Sequence, residues 1–348
     1  MSSPLKPRTN QSRGIPTVKD VARVAGCSTA TVSRALTNPD MVSEKTRKKV
    51  LHAVDVTGYS LNVAARSLRR SITNTIVVVV PDISNPYFSQ VISGIEGIAH
   101  KAGKKVLLGD AGHEPERVQS YFDLLPTNQA DGIILLTAEV SKRLLHGKTH
   151  GSGFPLVMAC EYFQGMQLPT VSIDNQQAAE KAMVYLLSLG HKKFGVIQGP
   201  MSNPICIDRH QGYLSSLEHA AIPSNPKWVL EGDFSFGSGY SLGRTLLSGA
   251  DKPTAIFCHN DEMAIGVMKV ARELGIRVPE DLSVMGFDDI PFAEYCEPGL
   301  TTIHQPRAEI GEAAMKLLMD LIEGKEAVGH YYLNANLIVR NSTAVAKF

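Results

Sequence analysis

The side chains with the clearest binding chemistry stand just after short apolar runs. Tyr87 and Phe88 follow the run TIVVVV, and aromatic rings of this kind can stack on a base or a sugar ring. Arg209 in the segment DRHQGY and Asp288 in GFDD can make charge-assisted hydrogen bonds to hydroxyl groups or to the polar edge of a ring. These residue types favour a cleft for a small polar ligand.

Six further side chains stand near the ends of predicted strands or in the loops that follow them. Each could line the same cleft. For each of them, and for the four residues above, the alternative is a structural role, such as capping the next helix or packing in the core. They are Asn85, Glu161, Asp174, Phe234, Asn260 and Asp261.

Nothing in the sequence organises these residues for catalysis. There is no GxxxxGKS phosphate loop, no GxGxxG that opens a helix, no HExxH and no GxSxG. The five cysteines (Cys27, Cys160, Cys206, Cys258 and Cys296) are scattered, without a CxxC pair, which argues against a disulfide framework and a zinc site. We therefore expect no enzyme activity, no metal and no cofactor.

The chain beyond Ile76 alternates short β-branched runs with helical patterns. Continuous apolar runs joined by helices are typical of strands buried on both faces, and hence of parallel sheets. Ligands of such sheets bind outside the carboxyl ends of the strands. Because the units are too many for one small sheet, we predict an α/β body of two lobes that face each other across a cleft.

The amino-terminal segment has a helical pattern instead. Thr17 can cap a first helix that ends at Gly26, Ser28 can cap a second, and Ser43 can cap a third that ends at Gly58. Three short helices, the first two joined by a tight turn, indicate a helix-turn-helix arrangement.

The charge is distributed unevenly along the chain. Residues 1–75 carry a net charge of +9, whereas the remaining residues carry −8. A basic segment on a mildly acidic body indicates a polyanionic partner for the segment, although a solvated basic tail would have the same composition. The polar start of the chain and the lack of a long apolar run predict a cytoplasmic protein without a membrane span.

Segments of the chain from Thr17 onward resemble, in order, the landmarks of the LacI/GalR repressor family. They are TVKDVARVAGCSTATVSRALTNPDMVSEKTRKKV, NVAARSLRRSITNTI, PDISNPYFSQVISGIE, DRHQGY, CHNDEMAIG, GFDD and LTTIHQPRAEIG. The resemblance implies an all-α helix-turn-helix headpiece and a two-lobed, periplasmic-binding-protein-like sensor with parallel sheets. It also implies a homodimer on double-stranded operator DNA, and hence a protein associated with the nucleoid.

The resemblance and the patterns together predict the domain boundaries. We expect a flexible tail at 1–16, the helix-turn-helix domain at 17–60, a hinge helix and linker at 61–75, and the sensor at 76–348. We expect lobe 1 at about 76–173 and 304–330 and lobe 2 at about 174–303 and 331–344, with crossings near residues 173, 303 and 331.

The second helix should be the recognition helix. Thr29 and Ala30 would then contact thymine methyl groups, and Arg34 would contact guanine through two hydrogen bonds. The alternative is an ordinary solvated helix face. Four hydroxyl side chains would hold phosphates: Thr17, Ser28, Thr31 and Ser33.

Residues 62–70 (NVAARSLRR) form a predicted short helix with too little apolar surface to be stable alone. In the resembled family this hinge helix folds on the operator as a pair, one from each subunit. Leu68 matches the leucine that wedges between base pairs in the minor groove. Asn62 and Arg66 are further candidates for DNA contact, and a charged linker is the alternative.

Within the family, the segments VPDISNPYFSQ, VMACEYFQGMQLPTVSIDN and FAEYCEPGLTTIHQPR resemble most the repressors that respond to cytidine. The resemblance implies cytidine or a related nucleoside as effector, genes of nucleoside uptake and catabolism as targets, and the cyclic-AMP receptor protein as a partner on flanking DNA. Two alternatives remain: a regulator of the same family that responds to a purine base or a sugar, and a solute-binding protein of the same sensor fold, which would lack residues 17–70.

Overall fold

The computed structural model describes residues 16–59, 72–140 and 154–347. The chain forms two compact units, Met1–Ser71 and Ile72–Phe348. Across the described residues, none of the helices combines the length and the apolar character that a membrane crossing requires.

The first unit contains three short helices, each bounded by residues that favour its ends. Ser28 and Ser43 accept hydrogen bonds from backbone amides of the first turn that follows them, at 3.1 and 3.4 Å. Gly26 and Gly58 follow the last turns with φ of 63° and 66°, a left-handed conformation that glycine adopts without steric cost. The helices are α1 (Val18–Ala25), α2 (Thr29–Thr37) and α3 (Glu44–Thr57).

The core of this unit is small and lies between the three helices. Val21, Val32 and Val50 are fully buried, and Ala35 and Ala53 are nearly so. Because the buried face of α2 is made by Val32 and Ala35, the opposite face of that helix remains exposed.

The second unit contains two parallel sheets, which confirms the predicted α/β class. Its strands are β1 (Thr75–Val80), β2 (Lys105–Asp110), β3 (Gly132–Leu135), β4 (Leu156–Ala159), β5 (Thr170–Ile173), β6 (Phe194–Gln198), β7 (Val229–Glu231), β8 (Ala255–Cys258), β9 (Ser283–Met285), β10 (Thr302–His304), β11 (His330–Leu333) and β12 (Asn336–Ile338). Lobe 1 is built on a sheet of order β11-β5-β4-β3-β1-β2, and lobe 2 on a sheet of order β7-β6-β8-β9. Strands β10 and β12 pair antiparallel beside lobe 2.

Helices cover the sheets, so the central strands are buried along nearly their whole length. Helices α4 and α11 pack against each other on lobe 1, whereas α6 packs on α7 and α8 on α9 in lobe 2. Their bounds are α4 (Tyr87–Lys101), α5 (Pro115–Phe122), α6 (Asn175–Ser188), α7 (Pro204–His219), α8 (Phe236–Leu247), α9 (Asp261–Glu273), α10 (Pro291–Tyr295) and α11 (Arg307–Ile322). Short 3-10 turns span Pro39–Met41 and Pro226–Trp228.

The chain passes between the lobes after β5, between β10 and α11, and between β11 and β12. The third passage lies later than the sequence-based boundary at residue 330. The reason is that Tyr331, Tyr332 and Leu333 continue β11, which pairs in register with β5 in the sheet of lobe 1.

Candidate functional site

A cavity of about 410 Å³ lies between the two lobes. Residues that stand just after parallel strands reach it from both sides, among them Pro81 after β1, Cys160 after β4 and Asn260, two residues after β8. The cavity therefore occupies the position that open parallel sheets use for ligands, outside the carboxyl ends of their strands.

Eight of the ten side chains predicted for a ligand cleft line this cavity. They are Asn85, Tyr87, Phe88, Glu161, Arg209, Phe234, Asn260 and Asp288. The structure thus brings the aromatic pair and the arginine-carboxylate pair together, and the part that each side chain plays in binding remains a prediction.

The other two predicted side chains, Asp174 and Asp261, do not line the cavity. Asp174 caps α6 by accepting a hydrogen bond from the backbone amide of Gln177 at 2.9 Å, and it lines a separate cavity of about 160 Å³. Asp261 is fully buried and accepts hydrogen bonds from the Thr302 hydroxyl and the Ile290 amide at 2.5 and 2.8 Å. Both carboxylates therefore already accept hydrogen bonds from other groups of the protein.

Arg209 is buried and held on three sides. Its Nε donates to Asn175 Oδ1 at 2.9 Å, and one Nη donates to the carbonyl of His259. The guanidinium carbon lies 3.8 Å from the centre of the Phe287 ring. Its other Nη lies 4.0 Å from Asp288 Oδ1. The planar cation is therefore fixed in orientation at the wall of the cavity.

Asp288 belongs to a hydrogen-bond chain that connects the two lobes. Gln305, in the segment that passes between them, donates to Asp288 at 2.7 Å and accepts from the hydroxyl of Tyr87 at 3.0 Å. Burial raises the pKa of Asp288, while Arg209 and Gln305 oppose that shift by favouring the charged form. A ligand that contacts this carboxyl therefore acts on a network shared by both lobes.

Glu161 makes a second contact between the lobes. It follows β4 in lobe 1 and accepts a hydrogen bond at 2.8 Å from the side-chain amide of Asn203, which caps α7 in lobe 2. Its other oxygen accepts from the backbone amide of Ala138. Burial raises the pKa of Glu161 to about 7, against the effect of these two hydrogen bonds.

Sequence reasoning missed several residues of the cavity wall. Six of them stand within two positions of a predicted residue, and this proximity could have identified them: Ser84, Cys160, Asp233, Ser235, Phe236 and Glu262. The other missed residues belong mainly to loops whose path depends on the fold: Pro81, Asp82, His113, Glu139, Asn203, Ile205 and Gly237. Among the described residues, no group of three or more His, Cys, Asp or Glu side chains is arranged to hold a metal ion.

The candidate recognition helix α2 presents its predicted base-contacting side chains to solvent. Thr29, Ala30 and Arg34 are exposed, and the Arg34 guanidinium lies over the first turn, with Nε 3.4 Å from the carbonyl oxygen of Ala30. Ser28 and Thr31 share a hydrogen bond of 2.9 Å between their hydroxyl groups at the start of the helix. This arrangement leaves one face of α2 free for a partner.

Of the other residues predicted to contact DNA, one is engaged in a capping box, one is half-buried, and three lie outside the described residues. Thr17 donates its backbone N–H and its hydroxyl to Asp20 at 3.0 and 2.7 Å, so its hydroxyl is already engaged in a capping box. Ser33 is half-buried on α2. Three predicted residues lie outside the described part of the chain: Asn62, Arg66 and Leu68.

Comparison with protein families matches both units. Residues 17–62 match the model described as bacterial regulatory proteins, lacI family, and residues 183–343 match the periplasmic binding protein-like domain. Among solved structures, the lac repressor dimer bound to operator and the anti-inducer ONPF is similar with a TM-score of 0.85 and 27% identity, over 95% of this chain and 100% of that one.

Two curated relatives are similar over most of their length. The HTH-type transcriptional repressor CytR of Escherichia coli (strain K12) is 44% identical over 94% of this chain and 96% of that protein. The HTH-type transcriptional repressor PurR of Vibrio vulnificus (strain CMCP6) is 35% identical over 94% and 98%. This chain therefore belongs to the LacI family and is a DNA-binding transcriptional repressor, not an enzyme.

Proposed function

We propose that cytidine, or a closely related nucleoside, binds in the cavity between the lobes and lowers the affinity of this repressor for its operator. The observation that carries the proposal is the cavity itself, where aromatic rings and a buried arginine-carboxylate pair converge in a chain 44% identical to CytR. By the same similarity, the regulated genes serve nucleoside uptake and catabolism.

The residues of the cavity match the chemistry of a nucleoside. Tyr87, Phe88 and Phe234 offer ring faces and edges to the base. Arg209 and Asp288 offer a donor and an acceptor to ribose hydroxyls or to the base edge. A volume of about 410 Å³ lies within the range of small-molecule sites.

The lobes supply a route from ligand to operator. Tyr87 and Asn85 belong to lobe 1, whereas Arg209 and Asp288 belong to lobe 2, so one ligand can contact both. A ligand changes operator affinity only when it binds the operator-competent and operator-incompetent states with different affinity. We therefore expect induction to follow from a changed arrangement of the lobes.

Calorimetry with cytidine, adenosine, ribose and hypoxanthine, paired with operator binding in the presence of each, tests the proposal. We expect heat from cytidine, and a loss of operator affinity with the same concentration dependence. Heat from hypoxanthine or ribose, without any from cytidine, would contradict it.

A purine base is the second candidate effector, because PurR of Vibrio vulnificus is 35% identical to this chain. The same calorimetric series distinguishes it from cytidine, since hypoxanthine is a purine base and carries no ribose.

We propose that Arg34 reads one base pair of the operator from the exposed face of α2. Arg34→Ala is expected to remove the preference at that base pair and to cost about tenfold to 100-fold in operator affinity. Lys48, exposed on α3 and paired with Glu44 at 2.8 Å, provides the control. Lys48→Ala should lower the affinity for all DNA sequences to the same extent. Selection from a randomised operator pool tests this, and the base assignment fails when Arg34→Ala and the parent select the same sequence.

A homodimer is part of the proposal, and exposed aromatic residues of lobe 2 support it. Tyr295 and Phe292 on α10 are 83% and 54% exposed, and the ring of Phe236 lies 6.4 Å from that of Phe292. Tyr295→Glu should weaken dimerisation at least about tenfold in sedimentation equilibrium. Val328→Glu, at an apolar residue of lobe 1 that is 70% exposed, should leave dimerisation unchanged. Equal dimerisation of the two variants would contradict this assignment.

The proposal extends to the domain plan, with operator contacts from residues 17–60 and from the hinge segment 61–75. The predicted contacts of Thr17, Ser28, Thr31, Ser33 and Leu68 belong to it. We also propose a place in the cytoplasm on the nucleoid and cooperation with the cyclic-AMP receptor protein on flanking DNA. Operator binding measured with and without that receptor and cyclic AMP tests the cooperation.

A further inference from the structure

Glu262 is a largely buried residue whose carboxyl group opens to the cavity and is not used by the effector contacts proposed above. It is the second residue of α9, its side chain lines the cavity, and the residue is 9% exposed. Among the residues that the structure describes, no side chain or backbone group makes a hydrogen bond or an ion pair with it. Burial, with the nearby carboxylates of Asp288, Asp82 and Asp233, raises the pKa of Glu262 to about 7.

The other buried carboxyl groups of the described chain are satisfied within the protein. Glu161 accepts from Asn203, Asp261 from Thr302, and Asp288 from Gln305. A buried carboxylate without a partner is unfavourable, and native structures retain such groups chiefly where a ligand, an ion or a water completes them. The open side of Glu262 faces the cavity, so a donor group of the effector can supply the missing hydrogen bond.

The charge around Glu262 limits what that effector can be. Carboxyl groups line the cavity from both lobes: Asp82, Glu139, Glu161, Asp233, Glu262 and Asp288. Arg209 is the one lysine or arginine among the described lining residues, and two of its nitrogens already donate to protein acceptors. The amino terminus of α9, which would otherwise favour an anion, carries Asp261 and Glu262 in its first turn.

We propose that Glu262 is a specificity-determining residue, which accepts a hydrogen bond from an O–H or N–H group of the effector and, with its acidic neighbours, excludes the phosphorylated form of the same nucleoside. The inference rests on the proposed function and deepens it. The repressor then responds to free nucleosides and not to the larger family of nucleotides that carry the same base and sugar.

Calorimetry on the full-length parent and on Glu262→Gln tests the inference, with cytidine and cytidine 5′-monophosphate as ligands at about pH 8, where Glu262 is charged. The parent should bind cytidine at least about 100-fold more tightly than the monophosphate. The amide keeps the shape and one acceptor oxygen, so cytidine affinity should fall by about three- to tenfold, while the preference for cytidine over the monophosphate should narrow by at least about tenfold.

Two controls separate this role from other effects. Glu280→Gln removes one exposed charge from the segment before β9, at the opposite edge of the sheet from the cavity, and should leave the preference unchanged. Thermal unfolding without ligand supplies a second readout. Removing an unpartnered buried charge should raise the Tm of Glu262→Gln by about 2 °C or more, whereas a structural role would lower it.

Each outcome bears on the inference. Equal affinity of the parent for cytidine and its monophosphate overturns it and leaves the proposed function standing. An unchanged preference in Glu262→Gln overturns the assignment to this residue. If adenosine binds and cytidine does not, the proposed response to cytidine is wrong. The role of Glu262 is then tested in the same way with adenosine and adenosine 5′-monophosphate. A parent that binds neither member of either pair contradicts both.

Discussion

Replacing Asp288 by alanine is expected to lower the affinity for cytidine by about tenfold to 100-fold. The substitution removes an acceptor from the cavity and leaves the buried guanidinium of Arg209 without its nearest carboxylate, 4.0 Å away. It also frees Gln305, which donates to Asp288 at 2.7 Å. Calorimetry measures the loss. Operator binding without effector should change by less than about threefold, because Asp288 and α2 belong to separate units.

Two variants make this result specific to the cavity. Asp288 has a φ of 117°, so alanine adds backbone strain that asparagine tolerates better. Asp288→Asn therefore isolates the loss of charge, and it should still cost several-fold in affinity. Asp174→Ala removes a carboxylate that caps α6 outside this cavity, so it should lower the stability by about 1 kcal/mol and leave cytidine affinity unchanged. If Asp174→Ala and Asp288→Ala lose the same amount of cytidine affinity, the assignment of Asp288 to the cytidine site is wrong.

The headpiece could be predicted from the sequence because its signals are local. Ser28 and Ser43 each precede a helix, and each hydroxyl accepts a hydrogen bond from an amide three residues later. Gly26 and Gly58 stand at the helix ends in the left-handed conformation. Such signals depend on a few neighbouring residues, and tertiary packing did not override them.

The cavity could be predicted only in part, because a residue's place after a strand does not decide where its side chain points. Asp261 and Asp288 both follow strands of lobe 2 and look alike in the sequence. Asp261 turns inward to the Thr302 hydroxyl, which comes from a distant part of the chain, whereas Asp288 lines the cavity. The contact between Glu161 and Asn203 likewise joins residues of different lobes. Pairings of this kind appear only once the fold is formed.

The third passage between the lobes lies a few residues beyond its predicted position near residue 331, because the sequence signal of β11 is weak. Tyr331 and Tyr332 are exposed on an edge strand, so they give no buried apolar run to mark where β11 ends. Only the in-register pairing of Tyr331 with Val171 and Leu333 with Ile173 assigns this segment to lobe 1.

Operator affinity is expected to fall by about 10³- to 10⁵-fold when the salt concentration rises from about 50 to about 200 mM, as for proteins that neutralise several phosphates. The motivation is the net charge of +9 in residues 1–75, opposite to the −8 of the remaining chain. Each phosphate contact releases condensed counterions, and this gain shrinks as bulk salt increases. This electrostatic contribution does not depend on the base sequence. A scrambled duplex, which lacks the specific base contacts, should therefore bind more weakly but with a similar dependence on salt.

Cytidine provides the internal control for this salt series. It is uncharged, so its affinity for the proposed site between the lobes should change by less than about threefold over the same range. Fluorescence anisotropy of labelled operator and calorimetry of cytidine, run in the same buffers, give both curves. Operator affinity that stays flat would show that the basic segment is only a solvated tail. A parallel fall in both curves would point instead to a general effect of salt on the fold.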